Sequence, residues 1–243
     1  MSSNNPQNKD KTVFQIQTEN VQELNRAWTQ STRSINESYR IRNQAAAEIQ
    51  TKLTTLLFSA YTEAIFSKLI HTPYALSGAE ISKLKKEFKN NSYLGWKKCV
   101  SLVVGKITSK DEEYKSNVKS EISDLIDGYI KEPSEIRNRI AHGQWVIALN
   151  TKNTRENQDI TSLIQNLDIV KMDIYKKSFE MISLIIEDLV ESPEKAHFKF
   201  YDQRMKKFKT EQIKMSNWKL SDRIAKLKPK PVYCQECISG IKG

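Results

Sequence analysis

The sequence predicts an all-α protein: a bundle of amphipathic helices that ends in a basic helical extension. Only seven Gly and six Pro occur among 243 residues, so few positions oppose a helix. The longest patterned segments carry apolar residues three and four apart rather than in alternation, which is the helical period. The one stretch that reads as extended is short. It consists of Trp145 to Leu149, a polar loop from Asn150 to Gln158, and Ile160 to Ile164, and it leaves a short β-hairpin or a loop open.

The elements follow in order. Residues 1–12 read as a disordered tail, and Val21, Leu24, Trp28 and Ile35 then recur at spacings of three, four and seven, as one face of a helix does. A second, longer helix is expected from about Ile41 to Ile70, with Ile49, Leu53, Leu56, Leu57, Ala60, Ala64 and Leu69 facing inward. His71-Thr72-Pro73 ends it, because the residue before a proline is pushed out of the helical region. Ser77-Gly78-Ala79-Glu80 matches a capping box and opens a third helix with Ile81, Leu84 and Phe88. Tyr93 to Ile107 carries Trp96, Cys99, Leu102 and Val103 on the next. After a polar break at 108–112 comes a helix with Val118, Ile122, Leu125, Ile126 and Tyr129 on one face. Pro133-Ser134 is expected to interrupt the chain, and a short helix then runs from about Glu135 to His142, stopped by Gly143. Asp168 to Glu191 follows as the most regular helix, with Tyr175, Phe179, Ile182, Ile186 and Leu189 in one stripe. The remainder reads as one or two basic helices to about Leu227, where Lys228-Pro229-Lys230-Pro231 cannot continue a helix. The chain thus divides into the tail 1–12, a helical domain 13–192, a basic helical extension 193–228, and a C-terminal tail 229–243.

The segment with the most chemistry is Glu135-Ile136-Arg137-Asn138-Arg139-Ile140-Ala141-His142-Gly143. Histidine exchanges a proton near neutrality, and arginine is a permanent forked donor for a phosphate that carries extra negative charge. At about 100° per residue Asn138 and His142 share a face, whereas Arg137 lies about 140° round from His142. One such helix makes a loose site; two copies meeting about a two-fold axis make a tighter one.

The run Arg137-Asn138-x-x-x-His142, flanked by Ala141 and Gly143, resembles the signature of the HEPN domain family: an arginine, a small polar residue, three variable positions and a histidine. The resemblance covers roughly residues 40 to 192. It implies a HEPN-like helical bundle that dimerises through the motif helices and a metal-independent endoribonuclease of the toxin or antiviral-defence kind. On that reading Arg137, Asn138 and His142 are catalytic, no cofactor is needed, and a protein partner neutralises or activates the enzyme. Glu63, set in the apolar run Leu56 to Ile65, is then an anchor for the Arg137 guanidinium. Its competing reading is a solvated position on the polar side of its helix. His71 and His197, with no arginine at comparable spacing, read as structural or solvent-facing.

Charge adds a second pointer. From Pro193 onward thirteen basic residues stand against five acidic ones, so +8 of the net +10 lies in the last 51 residues. A concentrated positive segment favours polyanions, which makes Arg204, Lys206, Lys207, Lys209, Lys214 and Lys219 candidate RNA contacts. Phe198, Phe200, Tyr201, Phe208 and Trp218 are interleaved among them. The alternative to a nuclease is a non-catalytic helical module that binds nucleic acid or a partner protein. Three cysteines, Cys99, Cys234 and Cys237, fit a reducing compartment. The Cys234-x-x-Cys237 pair is half a zinc site, which two protomers could complete, but no metal is assigned. The absence of a long apolar run or an N-terminal hydrophobic region leads to the expectation of a cytoplasmic protein without membrane contact.

Overall fold

The computed structural model describes residues 11–227, and every regular element among them is helical. The helices are α1 (Val13–Arg40), α2 (Gln44–Ile70), α3 (Gly78–Asn90), α4 (Ser92–Val104), α5 (Glu112–Ile126), α6 (Glu132–Ala141), α7 (Gln158–Gln165), α8 (Ile169–Glu191), α9 (Ala196–Met215) and α10 (Leu220–Ala225). The capping box is present at Ser77 and Glu80. Asn43, Asn91, Asp111, Asn157 and Asp168 each accept a backbone N–H at the start of a helix, which satisfies donors that have no partner inside it.

One aromatic chain ties five helices together. Trp28 of α1 meets Phe58 of α2 at 6.2 Å, and Phe58 meets Phe179 of α8 at 5.8 Å. Phe179 meets Trp96 of α4 at 5.5 Å, Trp96 meets Phe66 of α2 at 4.9 Å, and Phe66 stacks on Phe88 of α3 at 4.2 Å. All but the last are edge-to-face or steeply tilted pairs, the arrangement that ring quadrupoles favour. Phe179 is fully buried at the crossing point.

Four expectations need correction. The hairpin is absent: the described residues contain only an isolated bridge between Leu149 and Glu156, and Ile160 to Ile164 belong to α7. Ile160 and Ile164 are one helical turn apart and both buried, and Asn157 caps the helix, so the local signals for a helix outweigh a weak strand pattern. The second helix starts at Gln44 rather than Ile41, because α1 continues to Arg40 and the chain reverses through Arg42 at φ 60°.

The inward face expected for α2 holds only in part. Ala64 and Leu69 are buried and Leu56 and Leu57 pack against the core, but Ile49, Leu53 and Ala60 are exposed, while Thr51, Thr54 and Thr55 are buried. These threonines can lie inside because their hydroxyls donate back to the carbonyls of Ala47, Gln50 and Lys52, which removes the penalty of an unmatched polar group. Thr54 also shares a 2.6 Å hydrogen bond with Ser31 of α1.

Pro133, finally, does not interrupt the chain. It is buried in the first turn of α6, which follows α5 without a break through a π turn at Asp127–Lys131. Proline has no N–H and its ring crowds the carbonyl four residues earlier; a wider π turn immediately before it accommodates both. The basic segment is helical as expected, but it is not detached from the body. Tyr201, Met205 and Phe208 of α9 belong to the same hydrophobic core as α2 and α8, and Arg223 of α10 donates to Asn36 of α1 at 2.9 Å.

Candidate functional site

α6 positions the motif. Pro133, Ile136 and Ile140 are buried on its inner face. By helical geometry this sends Asn138 and His142 to the opposite, outer face and leaves Arg137 on the flank toward α2. Both Asn138 and His142 are exposed. The helix ends in a Schellman motif: Gly143 N–H donates to Ile140 O at 3.1 Å and Gln144 N–H to Arg139 O at 2.9 Å. Gly143 sits at φ 79°, a conformation that glycine takes without a steric penalty. The chain beyond is folded back, with the Trp145 indole N–H donating to Ile140 O at 3.0 Å. His142, the residue just before the glycine, is therefore held at the tip of a rigid helix end.

Arg137 is fixed from two sides. One guanidinium nitrogen donates to Glu63 Oε1 at 2.9 Å and another to Asn138 Oδ1 at 3.0 Å. Ser59, one turn earlier on α2, donates to the same Glu63 oxygen at 3.2 Å. Glu63 is thus the anchor for Arg137, although its side chain is 48% exposed rather than enclosed by the apolar run around it. The pair adds little to stability, since exposed ion pairs contribute about 0–1 kcal/mol. Its effect is to restrict where the guanidinium points. The side chain of His142 has no hydrogen-bond partner among the described residues.

Beside Arg137 lies a polar groove of about 430 Å³. Arg137, Asn138 and Ser134 form one wall, and the α3–α4 corner with Lys89, Asn91 and Tyr93 forms the other. Sequence reasoning did not select that corner. Its local signal is a helix cap at Asn91, whose side chain accepts Tyr93 N–H at 3.2 Å, and its nearness to Arg137 is a product of the fold. His142 is not among the residues lining the groove. A larger groove of about 740 Å³ between α1, α2 and α3 shares Glu63, Phe88 and Lys89 with it, so the two are contiguous.

The basic candidates are dispersed. Lys206 and Lys209 lie on one flank of α9 and Lys207 and Lys214 on the other, at about 100° per residue, and all four are exposed. Lys214 pairs with Glu211 at 2.7 Å. Lys219 precedes α10 and lines a separate pocket. Arg204 is already committed, because its guanidinium makes a bidentate contact with Asp188, whose side chain is 8% exposed. A buried carboxylate without that arginine would be costly, so Arg204 holds α9 on α8.

The other histidines are structural. His197 is fully buried and shares a 2.9 Å hydrogen bond with the Tyr114 hydroxyl. Its removal from water disfavours the charged ring, so its pKa lies below the ordinary value of 6.5. His71 caps α2, with Nδ1 2.6 Å from Ser67 O. Burial pushes the Cys99 thiol up to about 12, which leaves it un-ionised and unreactive. Among the described residues no group of three His, Cys, Asp or Glu side chains is placed to hold a metal ion. Cys234 and Cys237 lie outside the described residues. No described helix is long and apolar enough to cross a membrane. Comparisons of the chain with protein-family models, with curated proteins and with solved structures find no match.

Proposed function

We propose that this protein is a metal-independent endoribonuclease of the HEPN type that acts as a homodimer in toxin-like or antiviral defence, under the control of a protein partner. The observation that carries the reading is the Arg137 guanidinium, anchored by Glu63 and Asn138 at the edge of a polar groove, on a helix whose exposed tip presents His142 with no hydrogen-bond partner among the described residues. His142 takes the proton of a ribose 2′-hydroxyl, and the 2′ oxygen attacks the adjacent phosphorus. The 5′ oxygen leaves with a proton returned by histidine, and the products are a 2′,3′-cyclic phosphate and a 5′-hydroxyl end. Arg137 stabilises the charge that builds on the phosphate oxygens, and Asn138 orients the guanidinium or the substrate.

A second copy would complete the site. His142 is exposed at the end of α6 and does not line the groove that its own Arg137 borders. Ile49, Leu53 and Ala60 form an exposed stripe on α2 that ends at Glu63, at spacings of one or two helical turns. Val146 and Ile147, just past the motif, are 63% and 51% exposed. Apolar surface on both sides of the motif suits burial against a partner protomer.

The test is incubation of the purified protein with total RNA in chelator, wild type beside His142→Ala and Arg137→Ala. Cleavage by wild type alone supports the reading. Tight RNA binding with no cleavage under any condition favours instead a non-catalytic module that binds nucleic acid or a partner protein. Partial recovery of cleavage on mixing the two variants supports a site shared between protomers.

A further inference from the structure

On the far side of α8 from the aromatic core, a second pocket of about 310 Å³ lies between α8 and the turn that joins α9 to α10. It shares no lining residue with the groove beside Arg137. Its floor is rigid: Arg223 is tied to Asp173 of α8 and donates to Asn36 of α1 at 2.9 Å, and Val170 is buried beneath. Trp218 forms one wall and is 37% exposed. Lys177, Lys219 and Lys226 surround it, all exposed, and none of the three is in an ion pair among the described residues.

We propose that this pocket binds one nucleotide unit, with its base stacked on Trp218 and its phosphate held by Lys177, Lys219 and Lys226. Three ammonium groups around one concavity, none in an ion pair among the described residues, repel one another, and a phosphate relieves that repulsion. Lysines alone would suit any anion. The indole makes the difference. Lys177 Nζ lies 4.5 Å from the Trp218 ring centroid, so the ring face already attracts a cation, and an aromatic base can take that place while the ammonium moves to the phosphate. The volume is at the small end of the usual range for ligand sites, about 300–1,000 Å³, which suits a mononucleotide. Four cationic side chains against Asp173 and Asp222 leave the pocket positive even with the Arg223–Asp173 pair formed.

The ligand is either a free nucleotide or one residue of a bound strand, and titration of the full-length chain separates the two. Tryptophan fluorescence is followed with adenosine monophosphate, with a deoxyadenosine oligomer that cannot be cut by 2′-hydroxyl attack, and with inorganic phosphate. Adenosine monophosphate or the oligomer should bind with quenching, and inorganic phosphate should bind at least about ten-fold more weakly. Comparable affinity for the two adenosine ligands indicates a free nucleotide. Oligomer binding that is about ten-fold tighter or more indicates a strand. Trp218→Leu and the double change Lys177→Glu, Lys226→Glu should each weaken binding about ten-fold or more, read by calorimetry because Trp218→Leu removes the indole at the pocket and leaves only the emission of Trp28, Trp96 and Trp145. Lys177 and Lys226 are exposed, so the double variant keeps its unfolding midpoint and tests the pocket even if Trp218→Leu fails to fold. Binding unchanged in the double variant, phosphate as tight as adenosine monophosphate, or no binding of either adenosine ligand overturns the proposal. His142→Ala should bind adenosine monophosphate as wild type does, so nucleotide binding and RNA cleavage can each fail without the other.

Discussion

The two histidines at the ends of α6 and α9 are the same residue in opposite circumstances. His142 follows the last turn of α6, exposed, with no partner among the described residues and an anchored arginine five positions earlier. His197 lies in the first turn of α9, fully buried, bonded to Tyr114 and ringed by Phe198 and Tyr201 at 5.3 and 4.7 Å. A group that must exchange protons with a substrate has to reach solvent; a group enclosed by aromatics is held neutral and contributes packing. Burial gives His197 a role in cohesion, the proposed function gives His142 one in chemistry, and substitutions at each can break the contrast.

The largest effect is expected at His142. His142→Ala should lower RNA cleavage about 10²- to 10⁴-fold, the usual loss for a proton-transfer group, with no change in the thermal midpoint. Single-turnover cleavage measured beside a melting curve checks both halves; a large loss of stability would mean that the residue is structural after all. His197→Ala should do the reverse. It deletes a buried ring and strands the Tyr114 hydroxyl, for a cost of about 2–4 kcal/mol, or roughly 5–15 °C in the midpoint for a chain of this size. Cleavage per folded molecule should persist at low temperature, and its loss there would erase the contrast.

The Arg137 anchor comes next. Glu63→Gln keeps the shape and one acceptor but removes the charge, so cleavage should fall about ten-fold, less than the roughly 10²-fold or greater loss expected for Arg137→Ala. The effect of a positioning group should appear in kcat rather than KM. A raised KM with kcat intact would place Glu63 in substrate binding instead. Stability should move by less than about 0.5 kcal/mol, because the pair is exposed. Gly143→Ala acts on the helix end itself. Placing a Cβ at φ 79° should cost about 1 kcal/mol and loosen the backbone beside His142, and denaturant unfolding measures it.

The smallest effect is a pH slope. Burial holds the folded pKa of His197 below 6.5, against the opposing pull of Asp188 and Asp202. As pH falls through 6.5 the unfolded chain takes up the proton first, so stability is flat above that value and declines below it. One proton limits the slope to about 1.4 kcal/mol per pH unit. The slope should vanish in His197→Gln, whose amide can still meet Tyr114. Glu194 titrates far lower, because hydrogen bonds from Ser109 and Thr108 hold it at about 2, so its contribution above the usual carboxylate range is constant. An unchanged slope in His197→Gln would show that another group carries it.

The sequence by itself determined the class of the fold, the order of the helices apart from α7, and the motif helix with its stop. Those rest on local physics: the 3.6-residue period, the Ser77–Glu80 box, Pro73 after α2 and Gly143 after His142 all act within a turn or two of the chain. Only the tertiary structure decided that the first half of α2 turns threonines inward, because threonines that bond their own helix carbonyls can lie inside and leave Ile49 and Leu53 outside. It also decided that Pro133 continues a helix, that Arg204 is taken up by Asp188, and that Lys89, Asn91 and Tyr93 border the groove beside Arg137. Each of these depends on a partner far away in sequence or on a compensation that no residue pattern records. Glu63 and Arg137, 74 positions apart, stand between the two cases: residue type marks both as charged, and only the packing of α6 on α2 places the carboxylate where it can hold the guanidinium.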